Sequence, residues 1–303
     1  DLIGDAYGQG SNGPLAIVVT FPAGQEVPTA LTAALQATPG VATVAPAQLN
    51  PAGDTAIVTV IPTTAPDAQA TADLVERLRE DTLPTALRGT DAQAYVGGIT
   101  AAFIDVGDRI ADRLPYFIGL VVLLSFLLLM LVFHSIAIPA TAAIMNLLSV
   151  GAAYGVTVAV FQWGWGKGLL GLTSTVPIIS FVPMMMFAIL FGLSMDYQVF
   201  LLTRVREEYN KSGDTRTAVV QGVARTARVI TSAALIMIAV FLSFAASPIP
   251  EIKMFGLGLA VAVAVDATVV RMMLVPAIMQ ILGKANWWFP AWLDRILPKI
   301  TIE

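Results

Sequence analysis

Three ionisable side chains stand where the chain is otherwise apolar. Asp196 lies in Gly192-Leu-Ser-Met-Asp-Tyr197, and Asp266 and Arg271 lie five residues apart inside Phe255–Leu282. A charge at the centre of a bilayer costs about 2.5–3.5 kcal/mol on insertion scales, so such residues mark function by default. The chemistry open to them is proton handling, because burial penalises a carboxylate's charged form and brings proton exchange towards neutral pH. Tyr197 and Ser194 add nearby hydroxyls. On an α-helix Tyr197 points about 100° from Asp196, so it would carry a proton path to a facing helix rather than bond its neighbour. Asp266 and Arg271, at i and i+5, point about 140° apart on an α-helix, which makes pairing within one helix awkward. They read equally as part of a relay or as an interhelical clamp.

Other chemistries are excluded by absence. The chain has no cysteine and a single histidine, His134, so thiolate metal sites, disulfides and multi-histidine metal sites are ruled out. No GxxxxGK[ST] phosphate loop and no GxSxG elbow occur. Two intramembrane aspartates could in principle activate water as an aspartyl protease does. Those proteases carry GxGD, whereas here Asp266 follows Val-Ala-Val and Asp196 follows Ser-Met. No enzyme, no metal and no cofactor is expected.

The elements that must position these residues are long apolar helices. Of the 303 residues 56% are hydrophobic and 13% charged, with a mean hydropathy of +0.77, where a soluble domain carries about 25% charged residues. Five runs reach the ~20 residues that a ~30 Å hydrocarbon core requires: Pro115–Phe133, Ile138–Phe161, Ile178–Thr203, Val229–Ala246 and Phe255–Leu282. By helical rise, Asp196 lies about 12 Å from the interface marked by Arg204, and Asp266 roughly 16 Å deep. Pro177 and Pro183 are placed to break or kink the outer end of the third span. Trp163 and Trp165, and in the tail Trp287, Trp288 and Trp292, suit interfacial anchors. A basic helix over Asp214–Arg228 is expected to lie along the membrane surface.

Residues 1–114 differ. They hold 13 acidic residues against 5 arginines, net −8, while residues 115–303 hold 8 acidic and 12 basic residues, net +4. Short β-rich runs at Leu15–Phe21, Val41–Val44, Ala56–Ile61 and Gln93–Val96 alternate with helical patterns at Ala30–Ala37 and from Pro66 to about Leu87. Pro22 and Gly24 break the chain after the first, and Asn50-Pro51-Ala52-Gly53 turns a hairpin. The order βαββαβ is that of a ferredoxin-like split unit. The expected fold class is therefore an α+β membrane protein: a ferredoxin-like subdomain over 1–114, five transmembrane helices over 115–283, and a tail over 284–303. Positive charge marks the cytoplasmic side. A loop over 204–228 carries six basic residues and the tail adds Lys284, Arg295 and Lys299, so five spans put residues 1–114 outside the cell.

The run Phe191-Gly-Leu-Ser-Met-Asp-Tyr-Gln-Val-Phe-Leu-Leu-Thr-Arg-Val-Arg-Glu-Glu-Tyr209 resembles the signature of MMPL-family transporters of the resistance-nodulation-division (RND) superfamily, actinobacterial type. So do Phe255–Arg271 and the tail Asn286–Pro298, and the resemblance covers nearly the whole chain. It implies a C-terminal half without its leading span, an extracytoplasmic porter subdomain, and a proton relay on Asp196 and Tyr197, with the proton gradient as the energy source. It also implies lipids, drugs or other hydrophobic molecules as substrates, the plasma membrane as location, and the N-terminal half of the same transporter as partner. No nucleic acid is implied. Gln198 stands where many family members carry Glu. A non-transporting scaffold or sterol-sensing receptor of the same superfamily is the alternative.

Overall fold

The computed structural model describes residues 2–22, 27–172 and 175–294. Gly24, Arg295, Lys299 and Pro298 of the tail motif lie outside them. The chain divides into two compact units, Asp1–Arg109 and Ile110–Glu303.

The first unit opens with α1 (Leu2–Tyr7) and a 3-10 turn (Gln9–Asn12). Then follow β1 (Leu15–Thr20), α2 (Thr29–Ala37), β2 (Val41–Val44), β3 (Gln48–Leu49), β4 (Thr55–Pro62), α3 (Gln69–Arg77) and α4 (Leu83–Ala86), the two helices joined by a π turn at Leu78–Thr82. The last strand is β5 (Gln93–Gly97). All strand pairs are antiparallel and the order is β2-β4-β1-β5, with β3 beside β4. This is the ferredoxin-like arrangement. One face of β1 (Leu15, Ile17, Val19) and of β4 (Ala56, Val58, Val60) is buried against Leu31 and Leu35 of α2 and against Leu74, Val75, Leu78 and Leu83. The period-2 pattern of the strands and the spacing of the helices thus meet on one core.

The hairpin departs from expectation in one respect. Its first arm is split into β2 and β3, because Pro46 between them has no N–H to give the ladder. Its turn is closed by side chains: Asn50 Oδ1 accepts from the N–H of Asp54 and of Thr55, both at 3.2 Å, while Asp54 Oδ1 accepts from Asn50 Nδ2 at 2.7 Å and Thr55 Oγ1 at 3.1 Å. The Asn50 amide, and then the Thr55 hydroxyl, hold the Asp54 carboxyl below its ordinary range. A depressed folded-state value means that this contribution is present above the unfolded value, about 3.9, and is lost as pH falls through the lower, folded one. Asn50→Ala is therefore expected to raise the Asp54 titration midpoint, as followed by carboxyl NMR.

Among the described residues five helices are long and apolar enough to cross a membrane: Ile99–Phe133, Ala137–Gln162, Phe181–Ser212, Thr215–Ala245 and Pro250–Trp287, and all but the first eleven residues of the first helix belong to the second unit. They comprise α5 (Ile99–Phe133); α6 (Ala137–Thr157) with a π turn at Val158–Gln162; α7 (Phe181–Ser212); α8 (Thr215–Ala245); and α9 (Pro250–Val265), which runs through a π segment (Asp266–Leu274) into α10 (Val275–Leu282). The chain continues as a 3-10 turn (Gly283–Trp287) and α11 (Ala291–Asp294). Between α5 and α6 a short turn holds His134 at φ +43°, a left-handed conformation uncommon outside glycine.

Several helix boundaries overturn the sequence reading. The segment 204–228 is helical rather than a loop, and the surface helix expected over Asp214–Arg228 is continuous with the fourth span as α8. Only Gly213 and Asp214 separate it from α7. Gly213 ends α7 at φ +69°, and the Asp214 carboxylate caps α8 by accepting from Thr217 N–H at 2.9 Å. Arginine and lysine are good helix formers, and Glu208 of α7 ties the two extensions by accepting from Arg225 of α8 at 2.7 Å, while also accepting from Lys211 of its own helix at 3.1 Å. The third span starts at Phe181, so Pro177 precedes it and Pro183 sits in its first turn. Trp288 and Trp292 are exposed, but Trp287 is packed inward, stacked on Tyr209 at 4.6 Å between ring centres, with the Arg206 guanidinium 4.7 Å over its ring.

α9 is the bundle's central helix, packed on α6, α7 and α8. Its glycines permit the approach. A Cβ at Gly256 would lie 2.5 Å from Ala245 N and 2.6 Å from Phe241 O, backbone atoms of α8 that have nowhere to go. Gly256→Ala is expected to cost about 3 kcal/mol by overpacking. Gly151→Ala on α6, where a Cβ meets nothing within 4 Å, should be neutral or stabilise by up to about 1 kcal/mol. Thermal unfolding in detergent separates the two.

Candidate functional site

The polar centre of the bundle is assembled from three helices. α6 brings Asn146 and Ser149, α7 brings Ser194 and Tyr197, and the π segment brings Asp266 and Arg271; all six line one small cavity. Arg271 is 3% exposed, Asn146 2% and Ser194 7%.

Asp266 and Arg271 pair directly, against the geometric objection raised by their spacing. Arg271 Nε donates to Asp266 Oδ2 at 2.7 Å, and Nη2 lies 2.7 Å from the same oxygen. The reason is the local helix type. Residues 266–274 are π-helical, and a π-helix bonds i to i+5, which stacks those two residues on one face. The α-helical angle does not apply where the pair sits.

The pair is also an interhelical clamp. Arg271 Nη2 donates to Ser194 Oγ at 2.8 Å and to the Ser194 carbonyl. Asp266 Oδ1 accepts from Ser149 Oγ at 3.2 Å. The single Ser194 hydroxyl proton serves either Asn146 Oδ1 at 2.6 Å or Asp266 Oδ1 at 3.2 Å. The Tyr197 ring lies under the guanidinium, 5.4 Å from its carbon, and its hydroxyl faces Met237 Sδ of α8 at 3.7 Å. This arrangement can hold a buried charge pair, exchange hydroxyl protons with it, and change its bonding when Asp266 is neutralised.

Asp196 is placed otherwise. It is on the exposed face of α7, with no hydrogen bond or ion pair among the described residues. Tyr197, one residue on, turns inward, as the 100° step predicts. The structure therefore brings Ser194, Tyr197, Asp266 and Arg271 together and leaves Asp196 apart from them. Asn146 and Ser149 did not figure among the sequence candidates. Their signal was available, since an amide inside an apolar span must find a partner or pay for desolvation.

The MMPL family's sequence profile matches residues 20–299. The chain belongs to the MMPL family. It is 41% identical, over 99% of its length, to the mycolic acid-containing lipids exporter MmpL11 of Mycolicibacterium smegmatis, and covers 32% of that protein. It is also 41% identical to the heme uptake protein MmpL11 of Mycobacterium tuberculosis, over 98% of this chain and 31% of that one. To the trehalose monomycolate exporter MmpL3 of M. smegmatis it is 35% identical over 69% of this chain and 21% of that protein. The chain thus spans about a third of the length of its MmpL11 relatives. With five apolar helices and this membership, it is a multi-pass membrane protein.

Removing one partner of a buried ion pair strands the other charge. Arg271→Met is expected to destabilise the bundle by about 3–5 kcal/mol. Adding Asp266→Leu to it should recover a large part of that loss, giving a coupling energy of about 1–3 kcal/mol in a double-mutant cycle. Denaturation of the detergent-solubilised protein reads both values, and additive losses would remove the pair from this account.

Proposed function

We propose that the chain is the C-terminal half of a proton-driven MMPL exporter that moves lipids or other hydrophobic molecules out through the plasma membrane. The observation that carries this reading is the buried Asp266–Arg271–Ser194 network at the level of Asp196 on α7. Ser194 lies two residues before Asp196, so a carboxylate on the outer face of α7 and one on its inner face stand at nearly the same depth. Two carboxylates at such depth are costly for a membrane protein with no use for them.

In this reading Asp196 takes a proton on the face of α7 that the N-terminal half of the transporter covers, and Tyr197 lies between that face and Arg271. Neutralising Asp196 removes a buried charge, lets the facing helices repack, and moves the extracytoplasmic porter subdomain formed by the first unit. The basic residues at the α7–α8 turn set the orientation, with that turn in the cytoplasm. The hydrophobic cargo rests on the relatives named for export of mycolic acid-containing lipids and of trehalose monomycolate.

The test is transport by the full-length transporter in proteoliposomes under an imposed pH gradient. Asp196→Asn and Asp266→Asn should each reduce uphill transport of a lipid analogue to the level of protein-free vesicles, with circular dichroism unchanged. Export by Asp196→Asn that persists when the gradient is collapsed would sink the proposal.

A further inference from the structure

Among the described residues the longest π segment coincides with the buried ion pair. Two other π turns, Leu78–Thr82 and Val158–Gln162, are five residues long, the ordinary single-turn bulge. Asp266–Leu274 runs for nine, and the N–H of Val275 still bonds the carbonyl of Val270, five residues back. Asp266 is its first residue and Arg271 its sixth, so the two occupy the i and i+5 positions that only this register stacks. In α geometry they would stand about 140° apart and the 2.7 Å contacts would open.

The flanks allow a change. Upstream, α9 is fixed by buried Met254, Gly256, Gly258, Leu259, Ala262 and Val263. Downstream, α10 buries only Val275 and Met279, and Pro276 in its first turn has no N–H to commit the junction to either register. We propose that the Asp266–Arg271 pair selects the π register of the last span, and that neutralising Asp266 lets residues 266–274 rewind as α-helix and turns α10 against α9. A π turn holds one residue more than an α turn, so the rewinding displaces α10 by on the order of 100° and 1.5 Å.

The groups that face Asp266 make the switch specific to it. From its own element there is Arg271; from α6, Asn146 and Ser149; from α7, Ser194 and Tyr197; from α8, only the apolar Ile230, Ala234 and Met237 reach the same cavity. Once Asp266 is neutral, Arg271 keeps its bonds to Ser194, and nothing charged holds Asp266 to the i+5 position. The inference deepens the proton-driven reading, which it requires only to the extent that a proton reaches Asp266.

The chain contains no cysteine, so single cysteines at Val275 and 277–282 can carry nitroxide labels in the full-length transporter in liposomes, any cysteine elsewhere in it having been replaced. Oxygen-collision accessibility along these positions gives the rotational phase of α10. The expected result is a phase shift of about 100° between the parent protein and Asp266→Asn, reproduced by Arg271→Gln, which also removes the pair. An unchanged phase in both variants overturns the proposal, and Arg271→Gln decides should Asp266→Asn fail to fold. The readout is independent of cargo. A phase shift with gradient-independent export would overturn the transport reading alone, and gradient-driven export with a fixed phase would overturn the register switch alone.

Discussion

The cost of holding charge in a medium that cannot solvate it governs the second unit. Asp266 accepts from Arg271 on one oxygen and from the hydroxyls of Ser149 or Ser194 on the other, while Arg271 Nη2 also donates to Ser194. None of these partners can move far without stranding a charge, at several kcal/mol per ion. Apolar packing sets no such limit, because lipid tails are as apolar as leucine and helices gain little hydrophobic drive by associating. The polar centre therefore fixes the rotation and depth of α6, α7 and the last span relative to one another.

Small residues make that convergence possible. Gly256 lets α9 approach the backbone of α8, Gly258 makes room for Met186 and Thr157, and Gly222 of α8 sits against Val205 of α7. The same helices keep an opposite character outside. α5 exposes Leu120, Leu123, Leu124, Leu127 and Leu128, and α8 exposes Leu235, Ile236 and Val240, side chains suited to lipid.

The ferredoxin-like unit and the five spans were legible in the sequence because both rest on periodicity and length, and the residues that should be buried are buried: Val75, Leu78 and Leu83 on one helical face, alternate residues on β1 and β4. Two features were hidden for physical reasons. Charge between the third and fourth spans looked like a loop with a surface helix because composition reports solvation, whereas both helices continue past the apolar runs and Arg225 of α8 pairs with Glu208 of α7. The Asp266–Arg271 pair looked geometrically awkward because spacing was converted to angle with the α-helical step, and no local residue pattern announces a π register. The pair's further partner Ser194 is 77 residues away in the chain, outside any window around residues 266–274.

The division between Asp196 and Asp266 follows from the same cost. On one turn of α7, Ser194 faces the buried pair and Asp196 faces away from it. Asp266 has its countercharge within its own chain segment, so its ionised form is compensated. Asp196 has no countercharge among the described residues, so its ionised form is supported only by whatever covers that face. Two carboxylates at nearly one depth but with opposite compensation respond to a proton unequally: for Asp196 it removes an unbalanced charge, and for Asp266 it creates one, on Arg271.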